Sequence, residues 1–366
     1  MKLGIVGLPN VGKTTLFNAL THGHAAATAY AYTSAESNLG VVAVPDERLD
    51  RLHAALETPK KVNATIDVVD IAGLAEGASQ GEGLGNRFLA DIRGVDAVAQ
   101  VIRAFKNPDV AHVRDSVDPR ADVELVETEL VLSDLELVER RVEKTRKAAR
   151  SGDRSAQREL AALEGLAVAL QQGRLARTVE RAPEDAGLFR ELALVSDRPV
   201  LFVLNTDDDE GEAEALTEHS RFVEWAQARG DRVVALAARL ECELADLEPE
   251  EAVEFRGELG ADEEGAVDAF LRAAYEVLGY VTFFTGDFRS SESRAWQLPR
   301  GWTAKQAAGR IHTDIERGFV RAQVVNIENL IALRSFHAAR EKALVATEGK
   351  AYIVQDGDVI NFMHTA

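Results

Sequence analysis

Residues 7–14 read Gly-Leu-Pro-Asn-Val-Gly-Lys-Thr, and no other stretch constrains this chain as strongly. They fit the pattern G-x-x-x-x-G-K-[S/T]. The apolar run Leu3–Val6 precedes them and a helix-forming run, Thr14–Leu20, follows. That strand–loop–helix setting is the one the pattern requires. Glycine at positions 7 and 12 permits a tight loop whose backbone N–H groups converge on phosphate oxygens. The helix N-terminus adds a dipole that favours anions. Lys13 supplies a point charge for the β- and γ-phosphates of a nucleoside triphosphate, and the Thr14 hydroxyl a ligand for Mg2+. The candidate nucleotide-binding residues here are Asn10, Val11, Gly12, Lys13, Thr14 and Thr15.

A second motif, Asp67-Val68-Val69-Asp70-Ile71-Ala72-Gly73, places Asp70 at the end of a predicted buried strand, Ile66–Asp70. A carboxylate there is costly unless it holds a cation or is hydrogen-bonded, so Asp70 is a candidate Mg2+ contact. Gly73 is a candidate catalytic position that offers its N–H to the γ-phosphate. Leu74 follows, where many switch GTPases carry Gln to orient the attacking water. Leucine cannot do so, and hydrolysis needs another residue or a partner. Between the first helix and the next strand, Tyr30–Glu36 offers Thr33 and Ser34 as hydroxyls that could close over the metal. After the predicted strand Val200–Leu204 stands Asn205-Thr206-Asp207-Asp208. Guanine readers use N-K-x-D; here Thr206 replaces Lys, and the residue types alone do not decide between adenine and guanine.

Predicted strands Leu3–Val6, Ile66–Asp70, Val95–Ile102, Val200–Leu204 and Val233–Leu236 alternate with helices, which indicates an α/β fold with a parallel sheet. From Arg120 to about Arg177 the sequence is almost all helix former, with Gly152-Asp153 its one turn signal. It reads as a helical hairpin inserted into the sheet domain. Beyond Gly279, short strands such as Val281–Thr285 and Val320–Val325 suggest a small α+β domain.

Taken together, these motifs resemble those of the YchF, or Obg-like ATPase, family. The resemblance rests on the phosphate loop continued through Thr15-Leu16-Phe17-Asn18-Ala19-Leu20, on Asp70–Leu74, and on Gly81-Glu82-Gly83-Leu84-Gly85-Asn86. Arg103-Ala104-Phe105, Thr282–Thr285, Arg294-Ala295-Trp296, Gln306–Gly309, Ile311–Asp314 and Tyr352–Asp358 extend it over essentially the whole chain. It implies a P-loop GTPase-like domain at 1–279, interrupted by a helical hairpin at 120–195, and a small TGS domain at 280–366. It also implies ATP in preference to GTP, association with ribosomes, and a hydrophobic residue in place of the catalytic Gln. By the same resemblance Ser34 supplies the switch hydroxyl for Mg2+. His112 stands in for the missing Gln, Phe105 flanks the base, and Asn205 with the main chain at Thr206 contacts it. The chain departs from the family pattern with Ala31 in place of Pro and Asp208 in place of Glu; Asp208 brings the motif closer to a guanine reader.

Acidic residues number 61 against 42 basic ones, a formal net charge of −19, which disfavours binding nucleic acid over the whole surface. One local exception is Arg140–Arg158, with eight Lys or Arg and two acidic residues. That run is either a surface for ribosomal RNA or a solvated face of paired charges. No apolar run approaches the roughly 20 residues that span a bilayer, and the single cysteine, Cys242, allows no disulfide within the chain. The expectation is a cytoplasmic protein without membrane or DNA partners. The leading reading is a slow ATPase whose nucleotide state governs ribosome docking. Its alternatives are a GTPase of the same mechanism, favoured by Asp208, and a non-catalytic nucleotide-gated binding protein. A small-molecule kinase is disfavoured, because no acceptor-activating constellation accompanies the motifs.

Overall fold

The computed structural model describes residues 2–22, 38–73, 84–107, 109–111, 117–207, 213–258, 265–287 and 290–365. Ser34, Leu74, His112 and Asp208 lie outside them. The chain forms two compact units, one of residues 1–41 with 67–277 and one of residues 42–66 with 278–366. Its strands are β1 (Lys2–Val6), β2 (Asn38–Val44), β3 (Lys61–Val62), β4 (Ala64–Asp70), β5 (Ala97–Arg103), β6 (Val200–Asn205) and β7 (Arg232–Leu236), then β8 (Tyr280–Thr285), β9 (Ser293–Pro299), β10 (Phe319–Asn326), β11 (Ala346–Glu348) and β12 (Asp358–His364). The helices used below are α1 (Lys13–His22), α2 (Glu47–Leu56), α3 (Leu84–Arg93), α4 (Pro119–Ala149), α5 (Arg154–Gln171), α6 (Ala186–Leu192), α7 (Ala213–Ala228) and α8 (Ala238–Ala245).

The first sheet runs in the order β2-β4-β1-β5-β6-β7. Every pair from β4 to β7 is parallel. All seven residues of β5 are buried, which explains its nearly continuous apolar sequence. The C-terminal ends of β1, β4, β5 and β6 lead to the Gly7 loop, Asp70, Arg103 and Asn205 respectively. Ligands of open α/β sheets bind at that edge.

The hairpin is α4 and α5. Asp118 caps α4 by accepting the Ala121 amide, and Pro119 pre-sets the first turn. Asp153 caps α5 by accepting from the Ser155 and Ala156 amides. Val131, Val138 and Val142 of α4 meet Leu163, Leu166 and Leu170 of α5 in a dry seam. The hairpin is fastened at its base by Asp134, which is fully buried. Its carboxylate accepts the Val195 amide at 3.0 Å, the Ser196 amide at 2.8 Å and the Ser196 hydroxyl at 2.6 Å. Nearby, Arg93 at the end of α3 donates to the Ser133 hydroxyl.

The second sheet runs β11-β10-β12-β8-β9-β3. Residues 42–66, read from sequence as part of the nucleotide-binding region, cluster with this unit. The cause is the apolar face of α2. Leu49, Leu52 and Leu56 are buried against Phe284, Val325 and Val359, and β3 pairs in parallel with β9. Arg48 reinforces the join: it grips Asp46, donates to Asp356 at 2.6 Å, and lies over the Phe284 ring. Among the described residues no helix is long and apolar enough to cross a membrane. Cys242 is half-buried on α8, and burial, then Asp246 and Glu243, push its thiol up, which disfavours the reactive thiolate.

Candidate nucleotide-binding site

The loop between β1 and α1 takes conformations that its glycines make possible. Gly12 has φ +98, and a Cβ there would stand 2.2 Å from Asn205 Nδ2. Gly7 passes so close to β5 that a Cβ would lie 2.4 Å from the Val101 carbonyl oxygen. Asn10 adopts a left-handed φ of +61, which its short polar side chain tolerates. Its amide donates to the Ala111 carbonyl at 3.2 Å. The first helical bond of α1 is from the Leu16 amide to the Gly12 carbonyl. The amides of Lys13, Thr14 and Thr15 are therefore left without intrahelical acceptors at the mouth of the loop.

Lys13 is 9% exposed, and its ammonium donates to the Leu8 carbonyl at 2.7 Å. Burial lowers its pKa to about 8, while the charge of Asp70 works against that fall. Gly73 lies against it: a Cβ at 73 would sit 2.9 Å from Lys13 Nζ, so any side chain there would displace the ammonium. Thr14 Oγ1 donates to Asp70 Oδ2 at 2.9 Å. Asp70 Oδ1 is buried and has no hydrogen-bond partner among the described residues. Burial raises the Asp70 pKa, opposed by the Thr14 bond and by Lys13. A hydroxyl beside a carboxylate with an unsatisfied buried oxygen is a donor set for a hard divalent cation. Among the described residues no group of three or more His, Cys, Asp or Glu could hold a metal. Two protein oxygens, completed by phosphates and water, are the usual complement for Mg2+.

The protonation of Lys13 gives a test. With a free pKa near 8 and an anionic ligand that favours the ammonium, binding a triphosphate at pH 9 takes up close to one proton. Affinity is flat with pH below about 7 as far as this group is concerned, and falls as pH rises through 8. Calorimetric titrations at pH 9 in two buffers of different ionisation enthalpy measure the uptake directly. Equal heats in both buffers would mean that Lys13 is already charged there.

The far side of the site is built from Asn205. Its amide donates to the Val11 carbonyl at 2.9 Å and accepts from the Ala238 amide at 3.0 Å. Both polar atoms are thus bonded to main chain, and Asn205 clamps the phosphate loop to β6 and α8. The Thr206 amide donates to the Leu236 carbonyl at 3.0 Å, continuing the β6–β7 ladder. Asp207 accepts the Lys106 amide at 2.9 Å, tying the loop after β6 to the loop after β5.

At the end of β5, where that second loop begins, stands a group the sequence reading did not assign to the site, Arg103. It is 3% exposed, and its guanidinium donates to the carbonyls of Phe105, Asn107 and Val110 at 3.2, 2.9 and 2.9 Å. It also stacks on the Phe105 ring at 4.5 Å. One fork therefore shapes residues 104–110 and sets the half-buried Phe105. The sequence signal was a basic residue closing a strand that is apolar but for Gln100. Arg103→Ala strands three carbonyls and is expected to lower stability by about 2 kcal/mol. Arg103→Lys recovers little, because an ammonium lacks the planar fork. Urea unfolding of both variants checks this, and a full rescue by Lys would contradict it.

Against known proteins, residues 2–133 match a family model described as a 50S ribosome-binding GTPase, and residues 280–365 match YchF-GTPase_C, described as a protein of unknown function. The chain is similar to the "Ribosome-binding ATPase YchF" of Escherichia coli O157:H7, 42% identical over 99% of this chain and 98% of the relative. It is equally similar to that of Bacillus subtilis (strain 168), 42% identical over 98% of each chain. The solved YchF GTPase of Schizosaccharomyces pombe superposes with a TM-score of 0.84 at 31% identity, covering 99% of this chain and 97% of that one. Relatives of 42% identity along almost their full length, together with a solved relative of the same fold, establish that the chain belongs to the YchF family.

Proposed function

We propose that this protein is a Mg2+-dependent nucleotide switch that binds ATP, hydrolyses it slowly, and docks on the ribosome according to its nucleotide state. The observation that carries this reading is the Thr14–Asp70 pair beside the buried Lys13 ammonium, inside a loop only glycines can form. Lys13 engages the β- and γ-phosphates, and the Gly73 amide receives the γ-phosphate. The amides from Asn10 to Thr15 line the cradle. Thr14, Ser34 and Asp70 hold Mg2+, which when bound neutralises charge on the phosphates. Leu74 offers water no hydrogen bond, so turnover is slow, and His112 is the group assigned to orient it. Phe105 flanks the base, and the loop Asn205–Asp208 reads it.

Adenine fits this loop better than guanine. Because the Thr206 amide is spent on Leu236, a main-chain contact at that residue comes from its carbonyl. A carbonyl accepts from the amino group of adenine and opposes the O6 of guanine. Relatives named ribosome-binding ATPases support the same choice and supply the ribosome as partner. That partner puts the work of the protein in the cytoplasm. We assign the C-terminal 280–366 as a TGS domain of the Obg-like type, and residues 1–41 with 67–277, including the hairpin at 120–195, as the nucleotide-binding part. The test is equilibrium binding of non-hydrolysable ATP and GTP analogues with Mg2+, side by side. ATP is expected to bind at least tenfold tighter, about 1.4 kcal/mol. A tenfold preference for GTP would make Asp208 a guanine reader and overturn the ATPase reading.

A further inference from the structure

The basic run of the hairpin divides into two kinds of charge. Arg141 is paired with Glu159 and Glu191, Arg146 with Glu164, and Arg158 with Glu184 and Asp185. Arg140 lies 3.6 Å from Glu136. These four cations are neutralised by acids of the hairpin or of the segment that follows it. Lys144, Lys147, Arg150 and Arg154 have no ion pair or hydrogen bond of the side chain among the described residues. All four are exposed.

Their placement is ordered. Lys144, Lys147 and Arg150 recur every three residues at the end of α4, so they share one side of it. The buried positions of this stretch are Val142, Thr145 and Ala149, which puts the stripe on the solvent side. Arg154 opens α5 directly across the turn. Asp153, the acid within that turn, is occupied in capping α5, Glu159 from across the seam is engaged by Arg141 and Thr145, and Glu143 is the other acid within residues 140–158. The 31 residues of α4 rise about 45 Å along its axis. Arg150 lies 16 residues beyond Asp134, about 24 Å along that axis, so the four cations stand at the end of the hairpin remote from this anchor.

We propose that this tip is an RNA-binding surface that grips the sugar-phosphate backbone, without reading sequence. Charge complementarity argues for it. A protein of net charge −19 repels a polyanion, so approach is productive only where unpaired cations are concentrated and held clear of the acidic body. The hairpin keeps four such charges uncompensated while pairing their neighbours. The inference rests on the ribosome reading above and assigns to it the hairpin tip as the contact with ribosomal RNA.

The test is the full-length protein with Lys144→Gln, Lys147→Gln, Arg150→Gln and Arg154→Gln combined, against wild type. Binding to purified ribosomes and to protein-free ribosomal RNA is measured at several salt concentrations, with ATP hydrolysis as a control. Neutralising four phosphate contacts is expected to weaken binding about tenfold or more and to reduce the log–log salt slope by about 3. Hydrolysis without ribosomes should not change, since none of these residues belongs to the nucleotide site. A variant that binds ribosomes and RNA with unchanged affinity and slope overturns the tip assignment and leaves the ribosome reading intact. Affinity lost with no change in slope also overturns it, in favour of a protein contact. Wild type that binds free RNA through the tip but never ribosomes overturns the ribosome reading alone. Wild type that binds neither overturns both.

Discussion

Gly12→Ala is expected to weaken binding of Mg-ATP by about a hundredfold and to lower folding stability by about 3 kcal/mol. The backbone at Gly12 sits at φ +98, where an L side chain is strained, and the new Cβ would fall 2.2 Å from Asn205 Nδ2. Asn205 cannot simply yield, because its amide joins the Val11 carbonyl to the Ala238 amide. Moving it breaks two buried hydrogen bonds and releases the loop from β6 and α8. Urea unfolding and analogue titration measure the two effects. A double-mutant cycle with Asn205→Ala isolates the cause: if the clash is responsible, the double variant loses less than the sum of the singles. Strict additivity would place the damage elsewhere.

Asp70→Asn is expected to abolish the dependence of nucleotide binding on Mg2+ and to slow hydrolysis about a thousandfold, or about 4 kcal/mol in the barrier. The substitution keeps the shape and an oxygen for the Thr14 hydroxyl but removes the charge. Its effect on the ligand-free protein is small by comparison. The pKa of Asp70 is raised by burial, so the native state holds its proton more tightly than the unfolded chain does. The ionised group therefore costs stability at neutral pH, and that cost vanishes as pH falls below the carboxylate range. Asparagine relieves it at pH 7 but leaves an amide group where Oδ1 now lacks a partner. The two roughly offset, within about 1 kcal/mol. Titrations with Mg2+ and with chelator, run beside thermal unfolding, separate the roles. A variant that still binds more tightly with Mg2+ would remove Asp70 from the metal site.

The geometry of the candidate phosphate site was legible because its determinants are contiguous. The Gly7–Thr14 loop and the strand-terminal Asp70 are read without knowing what lies across from them. The clamp at Asn205 was not, since a side chain that bonds two main-chain groups leaves no signature in either partner. Arg103 escaped for the same reason: its acceptors are carbonyls, which every residue carries. Residues 42–66 show a different limit. The spacing of Leu49, Leu52 and Leu56 specifies a buried helix face, but not which of two cores receives it. The charges of the hairpin could be counted from sequence, while their pairing depended on Glu159, Glu164, Glu184 and Glu191 arriving from across the seam and beyond it.

Control of ribosome docking by nucleotide state at this site is tested most directly by co-sedimentation with purified ribosomes. The protein would be pelleted with a non-hydrolysable ATP analogue, with ADP and without nucleotide, each with Mg2+. Affinity in the ATP-analogue state is expected to differ from that in the ADP state by about fivefold or more, and Asp70→Asn to erase the difference. Equal binding in all three states, unchanged by Asp70→Asn, would contradict that control.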